Sequence, residues 1–184
     1  MTDARRLEDD HLAIIHVIQQ VARAFDEKLH DDLLPKVFDD NASILYRLRG
    51  RRIDFSMPKG LALFKYFHDR CYWTQHLVSP HVVSIDGDTA RASTPVHAVH
   101  LQIRDDGSHN HWVIAAVYHD ELVRRRGGWR IRKRKALCPY VEGDFLVDGV
   151  RLFPELPDLD REGAPSPHNA TRTRRAKGRV KRRR

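Results

Sequence analysis

The chain has 184 residues, 41% hydrophobic and 32% charged, a composition that fits one globular domain with a core large enough to need no disulfides. No apolar run approaches the roughly 18–20 residues of a membrane span. The opening MTDARRLEDDHL lacks an apolar signal core, so a cytoplasmic protein is expected. The formal net charge of +8 belongs to one segment: residues 171–184, TRTRRAKGRVKRRR, carry nine Lys and Arg and no acid, which leaves the remainder close to neutral.

In chain order, residues 7–25 place Leu7, Ile14, Ile15, Ile18, Val21, Ala22 and Phe25 at helical spacing. Residues 31–38, DDLLPKVF, have an acidic start and an apolar face, and predict a second short helix. Residues 42–48 read as a strand, and 57–71 as a loop entering a third helix. After residue 72 the hydrophobic period changes to two. Strands are predicted over 75–85, 90–103, 111–124 and 129–137, joined by turns at 86–88, 104–110 and 125–128. Helices followed by a run of antiparallel strands predict an α+β domain with a curved sheet folded over the helices. A stretch rich in Pro, Gly and charge follows 155, so the chain divides into a domain over 1–155 and a basic tail over 156–184 that is expected to be disordered.

Cys71 and Cys138 lie in no metal-type spacing, and both thiols are expected to be free in a reducing compartment. The pairs HNH (109–111) and HAVH (97–100) have no identifiable third ligand, so neither a metal nor another cofactor is expected. The tail lacks aromatics among its Arg and Lys. It therefore predicts non-specific, salt-sensitive contact with polyanions and no base stacking.

Three residues carry possible chemistry: Asp26 after the first helix's apolar face, His76 in the first long strand, and Arg134 in the last. A carboxylate bonded to one ring nitrogen orients an imidazole and leaves the other nitrogen as a base. A guanidinium beside an apolar pocket can stabilise a developing anion. The bland reading of each is an exposed helix-end carboxylate, a core imidazole satisfied by backbone, and a solvated strand face. Strand parity adds a condition: Trp129 and Ile131 share one face, and Arg134 falls on the other unless a bulge intervenes. In 90–103 the small and apolar residues alternate onto one face with His100, so His100 is favoured over His97 as a pocket residue. A bulge at Pro95 would reverse this.

The segments AFDEKLHDDLLPKVFDDNA, TQHLVSPHVVSIDGDTA and GGWRIRKR, taken in that order, resemble the SnoaL-like branch of the NTF2-like superfamily over roughly residues 7–155. That branch is similar to scytalone dehydratase, hexachlorocyclohexane dehydrochlorinase and bile-acid dehydratase. The resemblance implies a cone-shaped α+β barrel, its N-terminal helices packed in a curved, mostly antiparallel sheet around a deep apolar pocket. It implies that Asp26 and His76 form a catalytic dyad, that Arg134 lines the pocket, and that Tyr46 polarises a substrate carbonyl. His100, Phe25, Trp73 and Val21 are the expected substrate-contacting residues. Val21 stands where some dehydratases carry a tyrosine or lysine, which separates this chain from their particular substrates.

The function implied is a cofactor-independent lyase, dehydratase-like, or an isomerase, acting on a small apolar cyclic substrate. The protein is expected to form a homo-oligomer, a dimer or trimer. The alternatives are a non-catalytic ligand-binding domain and a partner protein like the small subunit of a dioxygenase.

Overall fold

A computed structural model describes residues 3–79 and 81–152, with side chains from residue 5 onward. The proposed basic tail lies outside the described residues.

The first helix, α1 (Asp3–Asp26), is longer at its N-terminal end than the apolar pattern alone indicates. Its apolar stripe, including Ile14, Ile18, Val21 and Phe25, is buried. A bidentate ion pair pins the helix start: Asp10 accepts from both terminal nitrogens of Arg124, and from Trp129 Nε1 at 3.2 Å. α2 (His30–Val37) follows and runs directly into β1 (Phe38–Leu48).

β2 (Arg51–Ser56) forms an antiparallel hairpin with β1. Its sequence, RRIDFS, signals a strand poorly because it lies at the sheet edge with alternate residues exposed. α3 (Lys59–His68) then presents Gly60, Phe64 and His68 on one buried face, at a spacing of four.

The remaining strands are β3 (Trp73–Val78), β4 (Val82–Asp86), β5 (Thr89–Ile103), β6 (His109–Arg125) and β7 (Gly128–Gly143). The sheet order is β2-β1-β7-β6-β5-β3, and β4 pairs with β5 beside β3. The single strand expected over 75–85 is therefore two short strands, laid in succession along β5. Every pairing is antiparallel except β1 with β7. A small ribbon, β8 (Leu146–Val147) with β9 (Val150–Arg151), follows the sheet.

Two register shifts in the β6–β7 pairing bend the sheet. Leu122 pairs with Ile131 but Glu121 pairs with Lys133, so Arg132 is an inserted residue. This bulge meets the parity condition: Trp129 and Ile131 face inward before it, and Arg134 and Ala136 face inward after it.

The β5–β6 register is unbroken through Pro95, so His100 is buried and His97 is exposed. Past β7, Gln102 and Asn110 bond to the backbone of Asp144 and Leu146. That seats Phe145 against Phe67 and Trp112 at one end of the concave face. Gly143 (φ 72°) is required at this corner, because a Cβ there would lie 2.2 Å from the His111 carbonyl oxygen. Two hydrophobic clusters result, one between the helices and the sheet, the other lining the concave face, and Tyr46 packs against both.

Candidate active site

The site is built where the C-terminal ends of α1 and α3 meet the edge strand β3. Thr74, His76 and Val78 point inward along β3, while Trp73, Gln75 and Leu77 point out. At an edge, alternate backbone N–H groups face away from the sheet and need partners. Asp26, the last residue of α1, supplies one. Its Oδ2 accepts the His76 backbone N–H at 2.9 Å, and its Oδ1 accepts from His76 Nδ1 at 2.7 Å. Thr74 Oγ1 donates to the Phe25 carbonyl at 3.2 Å and fixes the same junction.

His76 is one of three histidines in contact. The His68 and His100 ring centroids lie 5.6 and 5.3 Å from that of His76, and 5.7 Å from each other. His68 stacks on Phe25 at 4.4 Å. The acceptors decide the tautomers. His68 Nδ1 lies 2.7 Å from the Phe64 carbonyl oxygen, and His100 Nδ1 lies 3.3 Å from that of Trp112. Carbonyl and carboxylate oxygens have no proton to give, so Nδ1 is the donor in all three rings, and Nε2 is the nitrogen that carries the lone pair in the neutral form of each. Burial, reinforced by the neighbouring histidines, holds His68 well below the usual histidine range and His100 down to about 3. Both are neutral at pH 7.

The three rings form one end of an apolar pocket that encloses about 100 Å³. Space of that order suits one small ring more than an extended chain. Phe25, Phe64 and Trp112 supply aromatic wall, and at another part of the lining Tyr46 and Tyr118 share a hydrogen bond. Burial pushes the Tyr118 hydroxyl up to about 12 and Tyr46 well above its ordinary value, so both remain protonated donors. Cys138 also lines the pocket. Burial raises its thiol to about 12, which removes it as a nucleophile at neutral pH.

Asp26, His76, His100, Phe25 and Tyr46 are thus brought together, the last four in the pocket wall and Asp26 behind His76. Three expected residues are not. Arg134 does not line the pocket: it makes a bidentate bond to Asp120, with Nε–Oδ1 and Nη2–Oδ2 both 2.7 Å, and both side chains are buried. Burial opposes its charge, but the Asp120 carboxylate holds it protonated. Its guanidinium lies 4.3 Å over the Tyr118 ring, so it braces a pocket residue from behind. Trp73 is 43% exposed because it occupies the outward parity of β3. Val21 is buried one helical turn before Phe25, in the helix–sheet core.

His68 and Tyr118 are the site residues that sequence reasoning missed. Each carried a signal. His68 continues the i, i+4 face of Gly60 and Phe64, and Tyr118 has the inward parity of Trp112 and Ile114 on β6.

The family model of the SnoaL-like domain matches residues 5–135. No curated protein matches the chain at a significant level. Among solved structures, the Kfla4162 protein of Kribbella flavida is 28% identical with a TM-score of 0.68, over 74% of this chain and 95% of that one. The hexachlorocyclohexane dehydrochlorinase LinA-type3 of Novosphingobium barchaimii is 20% identical with a TM-score of 0.61, over 83% and 99% of the two chains. A proposed scytalone dehydratase of Novosphingobium aromaticivorans is 16% identical with a TM-score of 0.61, over 83% and 97%.

Proposed function

The chain belongs to the SnoaL-like domain family, and we propose that it is a lyase or isomerase that moves a proton on a small, apolar, cyclic substrate. One observation carries this reading: Asp26 holds His76 at two points, the backbone N–H and Nδ1, and the ring lines an apolar pocket with its Nε2 uncommitted by that pair. The dehydrochlorinase and dehydratase named among the similar structures are consistent with the reaction class.

In the elimination we envisage, His76 Nε2 takes a proton from a ring carbon. The C–H electron pair becomes the new C=C bond, and the leaving group departs from the adjacent carbon with its bonding pair. Asp26 keeps the Nδ1–H tautomer and stabilises the imidazolium that forms. Tyr118, protonated and braced by Arg134, donates a hydrogen bond to the oxygen that gains charge, and Tyr46 supports it through their shared hydrogen bond. For isomerisation the same base returns the proton to another carbon. The apolar wall excludes water and strengthens each of these interactions.

The test needs no prior substrate identity. A panel of small cyclic ketones and β-hydroxy ketones is incubated in D2O and followed by proton NMR. His76-dependent deuterium incorporation or loss of water is expected for at least one compound. Binding without exchange or elimination across the panel, in wild type as in His76→Ala, would make the protein a ligand carrier.

A further inference from the structure

The arrangement of His68, His76 and His100 exceeds what acid–base chemistry requires. One ring nitrogen from each histidine lies within 4.8 Å of those of the other two. Because every Nδ1 is committed to an oxygen, the nitrogens left to converge are the three Nε2 atoms. His68 Nε2 is fully buried and has no hydrogen-bond partner among the described residues. Three acceptor nitrogens gathered this closely in an apolar enclosure repel one another, and a cation between them would relieve that.

We propose that these three Nε2 atoms bind a divalent transition-metal ion of the zinc class. The donor set is all imidazole, which suits zinc, cobalt, nickel or copper and disfavours magnesium and calcium, whose ligands are oxygens. Four-coordinate zinc with three histidines has nitrogens about 3.3 Å apart, from a metal–nitrogen distance of about 2.05 Å. The trio, within 4.8 Å of one another, would close by up to about 1.5 Å to reach that spacing. The outer shell is already in place: a metal-bound histidine characteristically donates its other N–H to a carboxylate or backbone carbonyl, and here Asp26, the Phe64 carbonyl and the Trp112 carbonyl accept all three. The fourth position faces the pocket, as in sites where a metal activates water or a substrate oxygen. HNH and HAVH do not form the site. His97 is exposed, and His109 bonds to the Tyr72 hydroxyl on the surface.

The metal uses the same His76 lone pair that proton abstraction uses, so the loaded and metal-free clusters are alternative states. The proposal rests on the geometry of the trio and not on the lyase reading.

The test uses the full-length chain without a histidine tag, stripped with a chelator and titrated with Co2+ alone, then with Zn2+ in competition. One equivalent of Co2+ with the visible absorption of a four-coordinate site is expected, and Zn2+ should displace it. His68→Gln and His100→Gln should each weaken binding at least tenfold, and Asp26→Asn by about 10–100-fold. His97→Gln, on the outer face, should change nothing. Octahedral surface-type binding, or equal affinity in wild type and in the His68→Gln variant, would overturn the proposal. Should that variant fail to fold, His100→Gln and the wild-type spectrum decide. The titration reads no turnover. Metal binding with no turnover by the chelator-stripped chain sinks the lyase reading alone, and turnover without metal binding sinks this one alone.

Discussion

Asp26 holds His76 by both of its oxygens, one on the ring Nδ1 and one on the backbone N–H of the same residue. That pairing fixes the tautomer and the strand position together. Asp26→Asn cannot keep both contacts, because an amide offers one acceptor and one donor where two acceptors are needed. The expected result is a loss of about 1–3 kcal/mol in denaturant stability. Turnover of any substrate found should fall by about 10⁴, as when a triad carboxylate becomes an amide. His76→Ala should abolish turnover while far-UV circular dichroism stays that of the wild type. Undiminished turnover in Asp26→Asn would reduce Asp26 to a cap on the edge strand.

The two tyrosines divide a second role. Tyr46→Phe and Tyr118→Phe each remove one hydroxyl and leave the ring in place. If both hydroxyls serve the anion, each variant should lower kcat by about 10²–10³ with little change in KM. A change confined to melting temperature would assign their mutual hydrogen bond to packing.

Arg134 and Asp120 test a structural claim. Removing one partner strands the other's charge in the interior, so Asp120→Ala should cost about 3–5 kcal/mol in urea unfolding. The double variant Arg134→Met, Asp120→Leu should recover most of that loss. If the single variant unfolds at the wild-type midpoint, the pair does not brace the sheet.

Much of this was legible from sequence, and the exceptions have physical causes. The helical period gave α1 and the alternation gave β5, β6 and β7, because long segments with one buried face repeat the pattern many times. β2 escaped since an edge strand need bury little. The parity of Arg134 could be stated only as a condition, because a bulge is a pairing of two strands and not a property of one. Its partner Asp120 lies on a different strand, so the ion pair had no local signature. His68 escaped for a similar reason: its helix face was readable, but its neighbours His76 and His100 come from β3 and β5, and only the fold joins them.

The basic segment gives a prediction from charge alone. Deleting residues 171–184 removes nine positive charges and should leave the melting temperature within about 1–2 °C of the full chain, a change of a few tenths of a kcal/mol. Heparin binding should lose most of its salt dependence. Equal, equally salt-sensitive retention after truncation would place the affinity in the domain.

Acid stability follows from the histidines. His30, His68 and His100 are buried, and burial lowers the affinity of each for a proton in the folded chain, His100 to about 3. In the unfolded chain each returns to about 6.5. Above that value neither state binds the proton, and these groups add no pH dependence. Below it the unfolded chain is protonated and the folded one is not, so stability falls as pH falls, by about 1.4 kcal/mol per pH unit for each histidine. His68 and His100, the two held far below that value, give a slope of about 3 kcal/mol per pH unit, and His30 adds to it in the same direction, against a total stability of about 5–15 kcal/mol for an ordinary domain. Loss of the fold, or opening of the cluster, is expected near pH 4–5. The carboxylates Asp10 and Asp39, paired with Arg124 and Arg125, are lowered below 3.8 and come into play only at greater acidity. Urea unfolding at pH 7, 6 and 5, with chelator present so that no metal competes with protons, measures the slope. His100→Gln should reduce it by about 1.4 kcal/mol per pH unit. A flat profile between pH 7 and 5 would mean that the cluster takes up protons without unfolding, and that the three rings are open to water.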